Sequence, residues 1–393
     1  MSLSTSPQAD DKDYRELSFW HENLPHSLAA RPALAGCDKP AHTSTRGGGL
    51  SPTRLADHAS ALRPGLGHRT PAANTCRAGA GAGRQTMSLN TLYDLPAPAK
   101  VNAFLHVVGR RADGYHLLQS VVVLIDWHDT LHIESRADGK LLRNDLTTPL
   151  PADDLCLRAA HALQLESGSG QGAVISIDKR IPTGAGMGGG SSDAATTLLA
   201  LNQLWRLHWP RSRLLALGLS LGADVPFFLS GSNAFMEGVG ERLTALDIPQ
   251  QWLAVVKPAA NTQTGTIYES PLLTRNTDAV ILDSLLARGS WASRSKTVSS
   301  SQAALLFGRN DLQRPAVSQY VEIGQAAQWL ENQFGNARMT GSGSAVFAWA
   351  GAVQSAGTST QPTVTMPEVL PPGWLGRMCR SLEQHPLRGW APD

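Results

Sequence analysis

Five glycines fall within seven positions in Gly184-Ala-Gly-Met-Gly-Gly-Gly190, and Ser191-Ser-Asp-Ala-Ala195 follows at once. Glycine reaches positive φ without strain and lets a ligand approach the backbone closely. A loop of this kind that feeds a helix turns unpaired N–H groups, and the positive end of the helix dipole, toward an anion. Ser191 and Ser192 add hydroxyls for phosphate oxygens or for Mg²⁺. The chemistry these residues suit is the cradling of a phosphate chain.

Two common phosphate loops do not fit. No lysine follows the glycines, as a GxxxxGK[ST] loop requires. Gly184-Ala-Gly-Met-Gly-Gly189 satisfies G-x-G-x-x-G as a string, but several strands precede it where a dinucleotide fingerprint needs an early βαβ unit. The plain alternative is a flexible glycine turn; Ser-Ser-Asp-Ala-Ala is a poor linker and a good helix start.

Other positions carry chemistry only conditionally. Lys100, in Pro98-Ala-Lys-Val-Asn102, is either a solvated strand-edge lysine or a catalytic cation. Asp224, ahead of Val225-Pro-Phe-Phe228, is either a helix cap or turn residue, or a partly desolvated carboxylate able to act as a base. Asp113-Gly-Tyr-His116 is either a surface turn or an aromatic face beside an imidazole, suited to a planar ring. Thr340-Gly-Ser-Gly-Ser344 is a second small-residue loop, and Asn310-Asp-Leu312 says little alone.

The elements that must position these residues are legible in outline. Residues 100–109 alternate as a strand, 110–114 have turn chemistry, and 117–126 and 129–135 read as two further strands separated at Asp126-Trp-His128. Residues 153–165 read as a capped amphipathic helix. A strand is expected over 173–179, helices over 191–205, 211–221 and 319–334, a second strand-rich unit beginning at 253–258, a stretch over 337–350 with Gly-Ser-Gly in its middle, a polar loop over 351–372 and a closing helix over 375–384. Interleaved strands and helices point to an α+β architecture in two lobes.

The whole chain sets the bounds. Its 393 residues leave room for two or three domains, and a net charge of +2 supplies no strong field for nucleic acid or a membrane surface. The four cysteines, Cys37, Cys76, Cys156 and Cys379, show no metal-binding spacing and read as free thiols of a reducing cytosol. Residues 1–86 are rich in Arg, Ala, Gly, Pro, Ser and Thr, without sustained periodicity, and read as disordered. Met87-Ser-Leu-Asn resembles a natural start, so an over-extended beginning is favoured there over a transit peptide.

Together, Pro182-Thr-Gly-Ala-Gly-Met-Gly-Gly-Gly-Ser-Ser192, Pro98-Ala-Lys-Val-Asn102, Gly109-Arg-Arg-Ala-Asp-Gly-Tyr-His116, Leu221-Gly-Ala-Asp-Val-Pro-Phe-Phe228 and Glu237-Gly-Val-Gly-Glu241 resemble the GHMP kinase superfamily, with Asn310-Asp-Leu312 and Met339-Thr-Gly-Ser-Gly343 in order behind them. Within it the likeness is strongest to the branch whose acceptor is a cytidine diphosphate linked to methylerythritol, on the non-mevalonate route to isoprenoid precursors. The resemblance runs from Met87 to the C-terminus. It implies a two-lobed α+β fold: a ribosomal-S5-domain-2-like ATP-binding lobe over 87–248 and a ferredoxin-like lobe over 249–393.

It also implies roles. Asp224 matches a general base toward the acceptor hydroxyl, and Lys100 its paired cation. Pro182, Gly184, Gly186, Gly188, Gly189, Gly190, Ser191 and Ser192 match the ATP-binding loop. Tyr115 and His116 match a cytosine-binding pair, with Tyr268 on the other face of that ring. Asn102 would face the erythritol part, and Thr264 would lie near the substrate. ATP is the implied co-substrate, with Mg²⁺ and no assigned protein metal ligand. The implied protein is a cytoplasmic monomer or homodimer acting on a small molecule, with neither nucleic acid nor membrane as partner. A GHMP-family kinase for another small alcohol, or a non-catalytic binding protein of that fold, are the alternatives; the Gly-Tyr-His segment and the presence of both Lys100 and Asp224 weigh against them. Residues 1–86 and the 351–372 insertion depart from the family pattern, and Met187 stands where leucine is usual.

Overall fold

The computed structural model describes residues 90–286, 307–353 and 364–393. The expectations for residues 1–86 and for the middle of the 351–372 stretch lie outside these. All the described residues fall within one unit, Ala82–Asp393.

Strands β1 (Thr91–Arg110) and β2 (His116–Arg136) make a long antiparallel hairpin. Its turn closes through Gly114 N–H to Arg111 O at 3.0 Å, with Gly114 at φ 92°. The break expected at Asp126-Trp-His128 is instead a bulge inside one continuous strand. Pro98 pairs with His128 and Ala99 with Ile125, so Asp126 and Trp127 are extruded from the ladder. Both are used: Asp126 Oδ1 accepts the Arg380 N–H at 2.9 Å, and Trp127 Nε1 donates to Arg180 O at 2.8 Å.

The first sheet continues through β3 (Leu141–Asp145), β4 (Gly172–Asp178), β5 (Ala234–Gly238) and β6 (Arg242–Ala245), in the order β3-β4-β2-β5-β6 with β1 also on β2. Helices α1 (Leu155–Ser167), α2 (Gly189–Leu204), α3 (Arg211–Leu221) and α4 (Val225–Ser230) pack against it. Asp154 caps α1, accepting the N–H groups of Cys156 and Leu157. Val122 and Leu124 join this helical core, while Val121, Val123 and Ile125 pack into a second cluster. Burial on both faces explains the unbroken apolar run at 121–125.

A second sheet, β10-β7-β9-β8, is built from β7 (Gln251–Lys257), β8 (Arg338–Met339), β9 (Val346–Ala352) and β10 (Leu375–Arg380). Leu253, Val255 and Phe347 pack toward the first sheet. Ala254, Val256, Val346 and Ala348 pack among residues of α6 (Gln313–Gln319) and α7 (Val321–Phe334). The short α5 (Thr264–Glu269) follows β7. The closing helix expected over 375–384 is strand β10. It pairs with β7 from Leu375↔Lys257 to Arg380↔Trp252, so the edge of β7 finds hydrogen-bond partners that a helix could not supply.

Candidate active site

The glycine loop joins β4 to α2, and its conformation is one that glycine allows. Gly184, Gly186 and Gly188 have φ of 62°, 69° and 71°. Gly189 and Gly190 are already helical, so α2 begins two residues before the predicted start. Gly188 occupies the cap position without a side chain to satisfy the first N–H groups. A Cβ at Gly188 would stand 2.9 Å from Phe228 Cζ and 3.2 Å from Lys100 Cγ. The glycine is thus what lets α4 and β1 approach the loop.

Pro182 and Ser191 are half-buried, and Ser192 is fully buried with its Oγ unpartnered. A cleft of about 240 Å³ runs along the loop, bounded by Leu155, Lys179, Gly190 and Asp193. Lys179, read from sequence only as a strand end, was missed as part of this wall. Its one signal is a charge ending an otherwise apolar alternation.

The second small-residue loop, at 340–344, backs the first. Ser344 N–H donates to Gly184 O and Ala345 N–H to Ala185 O, both at 3.1 Å. A Cβ at Gly186 would lie 2.4 Å from Thr340 O, and one at Gly341 would lie 2.7 Å from Gly186 O. Its glycines serve contact between two backbones. Buried Asn310 holds this loop, donating to Met339 O at 2.7 Å and Gly341 O at 2.8 Å. That gives the weak Asn-Asp-Leu motif a physical role.

Lys100 and Asp224 meet at the start of α2. The lysine backbone N–H donates to Met187 O at 3.0 Å, tying β1 to the loop. Its Nζ lies 3.6 Å from Asp224 Oδ2, with the two side chains 5% and 37% exposed. Asp224 precedes α4 but makes no side-chain cap hydrogen bond. The carboxylate is therefore directed to Lys100 and open space, and the capping alternative is not what it does.

Asn102 is buried, and its carboxamide is a hub. Oδ1 accepts from Lys100 Nζ at 2.7 Å and from Gly341 N–H at 3.0 Å, while Nδ2 donates to Ser120 Oγ at 2.8 Å. Its backbone N–H donates to Thr340 Oγ1 at 3.0 Å. Asn102 orients Lys100 instead of presenting itself to open space.

A second group stands at the end of the hairpin. The His116 and Tyr268 rings stack at 4.9 Å and 28°. Arg275 Nε lies 3.4 Å from His116 Nε2, and its NH2 group donates to Tyr268 O at 2.8 Å. Burial, then the charges of Arg110 and Arg275, lower the His116 pKa, so the imidazole stays neutral. With Nε2 facing a donor, the proton sits on Nδ1. Tyr115 is 40% exposed, and the ring stacked on Tyr268 is that of His116. Burial, and then the Asp224 charge, raise the Tyr268 hydroxyl, which links the two groups electrostatically. Thr264 Oγ1 lies 2.8 Å from Ser342 Oγ, joining α5 to the second loop. Arg275 carried no sequence signal, being one arginine in an irregular stretch.

The arrangement can bind a phosphate chain at the start of α2, hold a carboxylate and an ammonium beside it, and offer a stacking surface. Residues 154–232 match the description "GHMP kinases N terminal domain" and residues 284–358 "GHMP kinases C terminal". The chain is 58% identical to the 4-diphosphocytidyl-2-C-methyl-D-erythritol kinase of Methylibium petroleiphilum, over 78% of this chain and 100% of that protein. It is 51% identical to the protein of the same name in Variovorax paradoxus, over 77% of this chain and 100% of that one. A crystal structure of 4-(cytidine 5'-diphospho)-2C-methyl-D-erythritol kinase superimposes with a TM-score of 0.56 at 33% identity, covering 66% of this chain and 91% of that one.

Proposed function

The chain belongs to the 4-diphosphocytidyl-2-C-methyl-D-erythritol kinases within the GHMP kinases, and on that premise we propose that it transfers the γ-phosphoryl group of ATP to the 2-hydroxyl of 4-diphosphocytidyl-2-C-methyl-D-erythritol. It is a phosphotransferase with an alcohol acceptor, serving the non-mevalonate route to isoprenoid precursors. The observation that carries the site assignment is the Lys100–Asp224 pair, 3.6 Å apart beside the glycine that opens α2.

In this reading Asp224 takes the proton of the 2-hydroxyl as its oxygen bonds to the γ-phosphorus, and the bond from that phosphorus to the β–γ bridging oxygen breaks to release ADP. Lys100 offsets negative charge growing on the attacking oxygen, and Asn102 fixes the ammonium in place. The transition state of phosphoryl transfer is loose, so positioning and charge neutralisation supply most of the acceleration. The N–H groups of residues 184–191 and the α2 dipole receive the phosphates. His116 and Tyr268 take the cytosine, the Nδ1–H of His116 donating to an acceptor on the base; Tyr115 borders it, and Thr264 lies along the substrate.

Among the described residues no group of three or more His, Cys, Asp or Glu stands together to hold a metal. Mg²⁺ would instead draw on oxygen donors, with the buried, unpartnered Ser192 hydroxyl and that of Ser191 the candidates in this chain. When bound, it neutralises phosphate charge. The reading includes an ATP-binding lobe over 87–248, a second lobe over 249–393, and a cytoplasmic monomer or homodimer. Among the described residues no helix is long and apolar enough to cross a membrane.

The test is ATP consumption with 4-diphosphocytidyl-2-C-methyl-D-erythritol, homoserine and mevalonate in parallel. Turnover of the first alone is expected; turnover of either other alcohol without the first removes the assignment.

A further inference from the structure

A buried ion triad under the glycine loop takes no part in the acceptor chemistry. The Lys179 ammonium donates to Asp129 Oδ2 and, at 2.6 Å, to Asp193 Oδ2. The three side chains are 6%, 0% and 2% exposed. The other Asp129 oxygen accepts two successive backbone N–H groups, Arg180 at 2.5 Å and Ile181 at 2.7 Å. Asp129 lies on β2, residues 179–181 enter the glycine loop, and Asp193 sits in α2 at the loop's exit.

Such a cluster is hard to explain by stability alone. Burying an ammonium between two carboxyl groups is expensive, as the Asp193 carboxyl shows, raised by burial against the opposing Lys179 charge, and a well-packed apolar cluster would often be as stable. Its connections are specific: one carboxylate grips the loop entry through two amides and reaches the loop exit through Lys179. Lys179 and Asp193 also line the cleft, and Asp193 Oδ1 is buried there without a partner. Burial acts against it, but the two carboxylates raise the Lys179 pKa and keep the ammonium charged.

We infer that Asp129 is a positioning residue for ATP: with Lys179 and Asp193 it braces both ends of the glycine loop, so the N–H groups between them are held ready for phosphate. The effect on ATP rests on the phosphate reading of the loop. Preorganised donors bind an anion without the ordering cost a slack loop would meet.

Steady-state kinetics and calorimetric ATP binding on the full chain test this. Asp129→Asn keeps an acceptor oxygen for the amides but loses the charge, and its KM and Kd for ATP rise about tenfold, ~1.4 kcal/mol. Its KM for the acceptor is unchanged, and kcat falls by no more than about threefold. Asp129→Ala shows a larger rise in both ATP constants, so the order wild type, Asn, Ala marks partial rescue by the retained oxygen. If the alanine variant fails to fold, Lys179→Met and its combination with Asp129→Asn replace it; their effects on ATP affinity add to less than the sum, because both cut one brace. Wild-type ATP constants in Asp129→Asn, or equal rises in both KM values with a lowered melting temperature, overturn the brace. Gly190→Leu separates the two ideas: Gly190 lines the cleft, and a Cβ there meets only Leu155 Cδ1 at 3.6 Å, an ordinary contact, so the substitution puts bulk at the cleft wall. Unchanged ATP affinity in Gly190→Leu overturns the phosphate reading of the loop. Weakened affinity in it, with wild-type affinity in Asp129→Asn, overturns the brace alone.

Discussion

Asn102 holds the ammonium of Lys100 at 2.7 Å, two residues along the same strand and on the same face. The same carboxamide reaches Ser120 on β2 and Gly341 in the second loop. The position of one ammonium beside Asp224 is thereby fixed from three separate segments.

Asn102→Ala should lower kcat by ~10²-fold, since loss of the hub lets Lys100 drift from its working position. KM for ATP should change little. Stability should fall by roughly 1–3 kcal/mol, because Ser120 and Gly341 lose a buried partner. Steady-state kinetics with urea unfolding separate the two effects; an unchanged kcat would show that Lys100 needs no such hold.

Gly186→Ala should destabilise the fold by roughly 2–4 kcal/mol, combining a strained left-handed residue with overpacking. The added carbon would stand 2.4 Å from Thr340 O, which belongs to backbone and cannot swing away. Chemical denaturation measures this, and a loss below about 1 kcal/mol would mean the two loops separate easily.

These two sites show what the sequence could and could not disclose. The glycine loop stood out by its residue types, glycines before a helix, whereas a lysine in a strand and an aspartate before an apolar run left Lys100 and Asp224 open, and only the resemblance to the GHMP kinases gave them roles. The N-cap of α1 and the bounds of α3 followed from local preferences. The role of Asn102 was not legible, since its partners lie in distant segments and an asparagine in a strand signals nothing by itself. The bulge at Asp126–Trp127 and strand β10 failed for a related reason. Turn residues and a mixed apolar segment were read locally, whereas pairing with β1 and β7 decided their conformation.

Tyr268→Ala should raise KM for the acceptor about tenfold, the loss of ~1.4 kcal/mol of stacking, with KM for ATP unchanged. Tyr268→Phe keeps the ring and should retain most of the affinity. Equal losses in the two variants would place the contribution in the hydroxyl instead of the stack against His116.

Stability should decline in mildly acidic solution through His385. This side chain is 1% exposed, and its Nδ1 accepts the Leu387 N–H at 3.0 Å. Burial, then the Arg211 charge, push its pKa down to about 4. The unfolded value is about 6.5, so folding favours the neutral ring. That contribution is fully present above pH 6.5 and is lost as pH falls from there toward 4, by about 3 kcal/mol in all. Urea unfolding between pH 7.5 and 4 should show a shallower pH dependence for His385→Gln than for wild type; identical slopes would exclude His385 as a source.

The pairing of Lys100 with Asp224 is tested most directly by Asp224→Asn, which keeps shape and removes the base. Phosphoryl transfer to 4-diphosphocytidyl-2-C-methyl-D-erythritol should fall by ~10²-fold or more, while calorimetric ATP binding stays within about twofold of wild type. Full turnover in this variant would contradict the assignment of Asp224 as the base.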